Sequence, residues 1–282
     1  MRTCAVSLVC RLNVCRKSAA LSPGSGEWGP PRSPPAIADQ QAALYGHGCR
    51  AAGEAKITFG TGALALAVAG NSRPDPTGGI LPTVAWDLGR GITYALDGGV
   101  PDAGAAVEWA LRAGSASDLA AFDVFPDRPA IERGLVFLPL FSGLGAPQWD
   151  RTAAPLIIGL TPDMGRRDLC QALLEGIAFQ TATLLEVMAQ NLALSSPISV
   201  DGGLAASGYF TGFLAQISQR PLVGPEFSER TAFGTAALAG LVLGIDLQAP
   251  TAVLSAMLPG PPRPAVMERF RDALKRSQGW HA

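Results

Sequence analysis

Ala55-Lys56-Ile57-Thr58-Phe59-Gly60-Thr61-Gly62-Ala63-Leu64-Ala65-Leu66-Ala67-Val68 places two short apolar runs on either side of a Gly-Thr-Gly bend. Runs of this length and composition around paired glycines predict a β-hairpin over 55–68. Outward from it, strand and helix signals follow one another with glycines at the junctions. Strands are expected at 80–86 and 92–96, a helix at 102–111, and strands again near 135–138 and 156–160. A long helix is predicted over 167–191, where Leu169, Leu173, Ile177, Leu184 and Met188 recur near every fourth residue and define a core face. Ile198 to Asp201 reads as a strand, Gly202-Gly203 as a turn and 205–218 as a helix. Pro221 to Val223 is expected to be a short edge strand, and 231–243 a helix. The alternation begins at Pro35 and implies an α/β domain over 35–282.

Residues 1–34 have a different character. An Arg- and Cys-bearing opening runs into Ser22-Pro23-Gly24-Ser25-Gly26 and Pro30-Pro31-Arg32-Ser33-Pro34, which offer no apolar pattern for a core. They are read as a disordered or non-homologous leader. With 22 Lys+Arg against 23 Asp+Glu and the basic residues scattered, nothing suggests nucleic acid or an anionic membrane as partner. The longest apolar runs, such as 63–69 and 238–243, fall well short of the roughly 20 residues that span a bilayer. Five cysteines without pattern suggest reduced thiols in the cytoplasm, and only His47 and His281 are present to support a zinc site.

Three segments carry chemistry, and each also has an ordinary structural use. Asp39 in Asp39-Gln40-Gln41-Ala42-Ala43-Leu44 is placed to be a helix N-cap, or else a general base accepting the proton of an attacking hydroxyl while Gln40 binds a neighbouring substrate group. Phe59-Gly60-Thr61-Gly62 serves a tight bend, or brings backbone amides and a hydroxyl to an anion. No Gly-Lys-Ser/Thr follows, so it is not a Walker A loop. Val200-Asp201-Gly202-Gly203 is a strand-to-helix turn whose bare backbone could also lie against a nucleotide.

Taken in order, these segments together with Thr83 to Trp86, Tyr94 to Gly98, Ala103 to Trp109, Phe141 to Asp150, Gly159-Leu160-Thr161 and Leu174 to Gln180 resemble the FGGY carbohydrate kinases, glycerol kinase above all. The resemblance implies an actin-like ATPase (ribonuclease-H-like) domain, a mixed sheet with flanking helices. It matches the ATP-binding C-terminal half of that family, with the N-terminal kinase domain absent. By the same resemblance Asp39 is the catalytic base, Asp39 and Gln40 bind a polyol or sugar, and Thr61, Gly104, Glu108, Gly203 and Ser207 contact ATP. Mg²⁺ would arrive with the nucleotide. Leu64 stands where an aromatic residue lines the glycerol pocket, Glu108 replaces a Gln and Ser207 an Asn. The implied activity is ATP-dependent phosphorylation of a polyol or sugar hydroxyl by a cytoplasmic enzyme, needing a separate N-terminal kinase domain. The alternative is a truncated, non-catalytic nucleotide-binding module, with self-association through its uncovered surface.

Overall fold

The computed structural model describes residues 37–281 apart from 89–90, 124, 126–127, 228, 243 and 250–252. The leader read over residues 1–34 and the last residue of the helix read over 231–243 lie outside the described residues.

A mixed seven-stranded sheet forms the middle layer. Its strands are β1 (Ala55–Phe59), β2 (Ala63–Gly70), β3 (Leu81–Asp87), β4 (Ile92–Val100), β7 (Ile198–Gly202), β8 (Leu222–Pro225) and β9 (Val253–Met257), in the order β3-β4-β2-β1-β7-β8-β9. The expected hairpin is there: β1 and β2 pair antiparallel from Ala55↔Ala67 to Phe59↔Ala63. β1 pairs parallel with β7, and β7 with β8, so these three strands end on the same side of the sheet. β5 (Val136–Leu138) and β6 (Leu156–Ile158) make a separate antiparallel pair.

Alternation along β1 assigns the two faces. Ala55, Ile57 and Phe59 join the larger apolar core, with Phe59 edge-on to Phe210 at 4.9 Å. That face is covered by α2 (Gly104–Arg112), α3 (Arg166–Asn191), α4 (Gly208–Ser218) and α6 (Pro264–Ser277). Leu66, Val68 and Ala95 point the other way, into a smaller cluster with Leu44, Tyr45, Trp86, Ala237 and Leu238. The helices there are α1 (Asp39–Gly46) and α5 (Arg230–Val242).

Several expectations need correction. Helix α3 is buried around its whole circumference from Gln171 to Ala182, polar residues included, because sheet, α2, α4, α6 and β5 surround it. It is also long and apolar enough by composition to cross a membrane, yet 78% of its most apolar window is buried inside the domain, which makes it the central core helix. The helix read over 205–218 is broken: a 3₁₀ turn spans Gly203–Ala206 and α4 starts at Gly208. Ser207 forces the break by capping α4, its Oγ accepting from the Phe210 N–H at 3.2 Å. The strand at 221–223 is not an edge, since β8 lies between β7 and β9. β9 and α6 lie in a region for which no element was expected. Asp39 is the first residue of α1 and not its N-cap, which is Ala38.

Candidate functional site

The parallel pairing of β1 with β7 sets Phe59 opposite Gly202, so the Gly60-Thr61-Gly62 bend and the Gly202-Gly203 turn emerge side by side. The two turns use glycine for different reasons. At Gly202, φ is 92° and an added Cβ would lie 2.2 Å from the Phe59 carbonyl oxygen, so this residue is fixed by packing. Gly203 is exposed, and a Cβ there would meet nothing within 4 Å. The bare backbone at Gly203 therefore faces open space that a ligand can occupy. Gly60 is similarly open, with only Gly62 O at 4.0 Å.

Helix α2 is tied to the same place. The N–H groups of Ala103 and Ala105 donate to Thr61 O, each at 3.0 Å, and Gly104 N–H donates to Gly60 O at 3.0 Å. A Cβ on Gly104 would lie 2.4 Å from Gly60 O, so only glycine allows this approach. These bonds consume the helix's first amides internally. One turn on, Glu108 is exposed and 3.8 Å from Arg112. Ser207 is buried, its hydroxyl donating to Phe122 O at 3.2 Å while it caps α4, so this side chain has no donor left for a ligand. Thr61, Gly104 and Gly203 thus converge, Glu108 flanks them, and Ser207 lies beneath the surface.

On the α1 face, sheet register builds a polar row. Lys56 and Thr58 are on the same side of β1, Lys56 opposite Leu66 and Ser199, Thr58 opposite Leu64 and Asp201. Leu66 in turn faces Asp97. Lys56 is wholly buried, and its ammonium donates to Gln40 Oε1 and, at 2.9 Å, to Thr58 Oγ1. Burial lowers its pKa to about 8, while Asp201, Asp97 and Asp39 act to raise it. Burial would raise the Asp201 carboxyl, but His47, Thr58 and Lys56 together hold it below its ordinary range. His47 Nε2 lies 3.0 Å from Asp201 Oδ2, a close contact without hydrogen-bond alignment, and its Nδ1 lies 2.7 Å from Ser199 Oγ. Burial lowers the His47 pKa against the pull of Asp201.

This row joins the two halves of the site. Asp39 is exposed at the start of α1, its Oδ1 accepting the Gln40 N–H at 2.7 Å. Gln40 is held by Lys56, Lys56 by Thr58, and Thr58 precedes the Gly-Thr-Gly bend by two residues. Leu64, 37% exposed, sits across from Thr58 at the open edge of the row. Sequence reasoning missed Lys56 and Thr58 as site residues. The signal was a Lys and a Thr two apart in an otherwise apolar strand, which puts both on one face. Among the described residues, no group of three or more His, Cys, Asp or Glu side chains is placed to hold a metal ion.

Residues 55–243 match the C-terminal domain of the FGGY family of carbohydrate kinases. Glycerol kinases from Symbiobacterium thermophilum and Alkalilimnicola ehrlichii are 36% and 38% identical over 259 and 254 residues, which is 86% of this chain in each case. The match spans 51% and 50% of those relatives, so the chain corresponds to about half their length. Plasmodium falciparum glycerol kinase, solved with ADP, superposes with a TM-score of 0.75 at 28% identity, over 85% of this chain and 50% of that one. A xylulose kinase from Brucella ovis shares the fold at a TM-score of 0.69 and 23% identity, over 85% of this chain and 49% of that one. The mixed sheet with flanking helices is that of the actin-like ATPase domain, and the chain belongs to the FGGY family of carbohydrate kinases.

Proposed function

We propose that this chain provides the nucleotide-binding wall and the general base of an ATP-dependent phosphotransferase acting on a polyol or sugar hydroxyl, the reaction that turns glycerol into glycerol 3-phosphate. The observation that carries the reading is the continuous polar row from Asp39 and Gln40 through Lys56 and Thr58 to the glycine turns at 60–62 and 202–203. A base and an exposed backbone cradle are then parts of one surface. The open positions at Gly60 and Gly203 fit a nucleotide lying close to the main chain, with Thr61 and Gly104 beside it. ATP, accompanied by Mg²⁺, would supply the phosphoryl group there. Asp39 is exposed toward the alcohol side and would take the hydroxyl proton as the oxygen attacks.

Phosphoryl transfer depends on positioning and charge neutralisation more than on covalent chemistry, so a single wall aligns the reactants poorly. The matched half therefore acts with a second, facing domain. ADP release should be followed with glycerol and related polyols, using the chain alone and the chain mixed with the N-terminal half of a glycerol kinase. Turnover is expected in the mixture, and Asp39→Asn should lower it by ~10²–10⁴-fold. Equal turnover with Asp39→Asn would remove the base from the mechanism. No turnover in any combination would favour the second reading, a non-catalytic nucleotide-binding module, toward which the replacements at Leu64, Glu108 and Ser207 point.

A further inference from the structure

We propose that Lys56 is a positioning residue for the alcohol side of this site: its ammonium claims the carbonyl oxygen of Gln40 and turns the amide NH₂ outward, so that Gln40 reads a hydrogen-bond acceptor on the substrate. The inference rests on the functional reading above and specifies its substrate class.

An ammonium has donors and no acceptor. Of the two ends of the Gln40 amide, only the oxygen can face the Lys56 ammonium. Lys56 is wholly buried, and the second hydrogen bond, to Thr58 at 2.9 Å, fixes it from the strand below. Gln40 itself is half-buried and adjacent to the exposed Asp39. Two neighbouring groups consequently present opposite characters, a carboxylate that accepts and an amide that donates. A pair of adjacent hydroxyls matches them, one giving its proton to Asp39 while the oxygen of the other accepts from Gln40. An alcohol without a neighbouring oxygen leaves the amide unpaired, a penalty of about tenfold in selectivity for one neutral hydrogen bond.

The ammonium is faced by Asp39 and Cys49, by Asp97 on β4 and by Asp201 on β7, with His47 and Arg230 next in line around Asp201. A purely structural lysine would offset the half-buried Asp97 and Asp201 without holding Gln40. Solution NMR on the isotope-labelled chain separates the two roles. In the unmodified protein at pH 6.5 the Gln40 side-chain amide should be as ordered as the helix backbone, with a through-space contact to the Lys56 ammonium protons. As pH rises through about 8, the amide signals should move with the Lys56 titration. Lys56→Met should release the amide into free rotation while the remaining spectrum stays dispersed; if that variant does not fold, the titration of the unmodified protein decides. A Gln40 amide that is mobile at pH 6.5, or unmoved by the titration, overturns the proposal.

In the two-part turnover assay, 1,2-propanediol should be preferred over 1,3-propanediol by about tenfold, and Lys56→Met should erase that preference while leaving the KM for ATP in place. Retention of the preference by Lys56→Met also overturns the proposal. Absence of all turnover sinks the functional reading instead, and the spectroscopic result alone then decides whether Lys56 holds the amide.

Discussion

Gly234→Ala should weaken both the fold and the site, through a contact between two helix backbones. Helices α1 and α5 cross at Gly46 and Gly234: a Cβ on Gly234 would lie 1.8 Å from Ala42 O and 2.7 Å from Gly46 N, and a Cβ on Gly46 would lie 1.8 Å from Arg230 O. The neighbours are main chain, so no side chain can swing aside, and the helices would have to part by about 1 Å or more for normal packing. Such overpacking costs ~1–3 kcal/mol. Against it stands the gain from replacing a helical glycine with alanine, ~0.5–1 kcal/mol. The clash wins, for a net loss of about 1–2 kcal/mol. Gly212→Ala in α4 is the control, since a Cβ there meets nothing within 4 Å and only the helical gain remains. Urea unfolding followed by tryptophan fluorescence should show a lowered midpoint for Gly234→Ala and a raised one for Gly212→Ala, at unchanged slope. Because α1 carries Asp39 and Gln40, a displacement of this size should also reduce turnover in the two-part assay, by up to ~10²-fold. A Gly234→Ala protein as stable as Gly212→Ala would refute the backbone contact and the placement of α1 that depends on it.

Two further outcomes follow from groups with clear environments. Glu175 is buried in α3 and accepts from the N–H groups of Ala130 at 2.7 Å and Ile131 at 3.0 Å and from the Tyr209 hydroxyl at 2.6 Å. Burial still pushes its pKa up from 4.5 to about 7, so the folded state retains a proton that the unfolded chain releases. Its contribution to stability is present below pH 4.5 and is lost as pH rises to about 7, a fall of ~3 kcal/mol that should flatten in Glu175→Gln; parallel pH profiles for the two proteins in urea unfolding would contradict it. Glu108 sits one turn beyond Gly104 and is largely exposed, so its repulsion of a phosphate is screened by water. Glu108→Gln should tighten ADP binding by about fivefold at low salt and by less as salt is added, measured by calorimetry; an unchanged affinity at low salt would place Glu108 away from the phosphates.

The elements most legible in the sequence are those whose side chains face one environment. The hairpin at 55–68 is bounded by glycines and packed on both faces, and α3 has apolar residues spaced for a helix, so both were visible from residue type and spacing. No element was expected over α6, where six of the 14 residues are charged and dilute the apolar signal, although Val266, Phe270, Ala273 and Leu274 are spaced for one helix face and anchor it. β9 carries too short a run to announce itself without β8 beside it. At the site, the glycine turns were recognisable locally, while their convergence depends on the parallel register of β1 and β7, strands 139 residues apart between Phe59 and Ile198. Local sequence cannot encode that register. Lys56 makes the same point from the opposite direction. In the strand it looks like a solvent-facing residue at an alternating position, and it becomes a site residue only because α1 lies over that face and sets Gln40 above it. The partners that give a buried charge its role come from α1, β4 and β7, so the role is a property of the assembled sheet and not of any one segment.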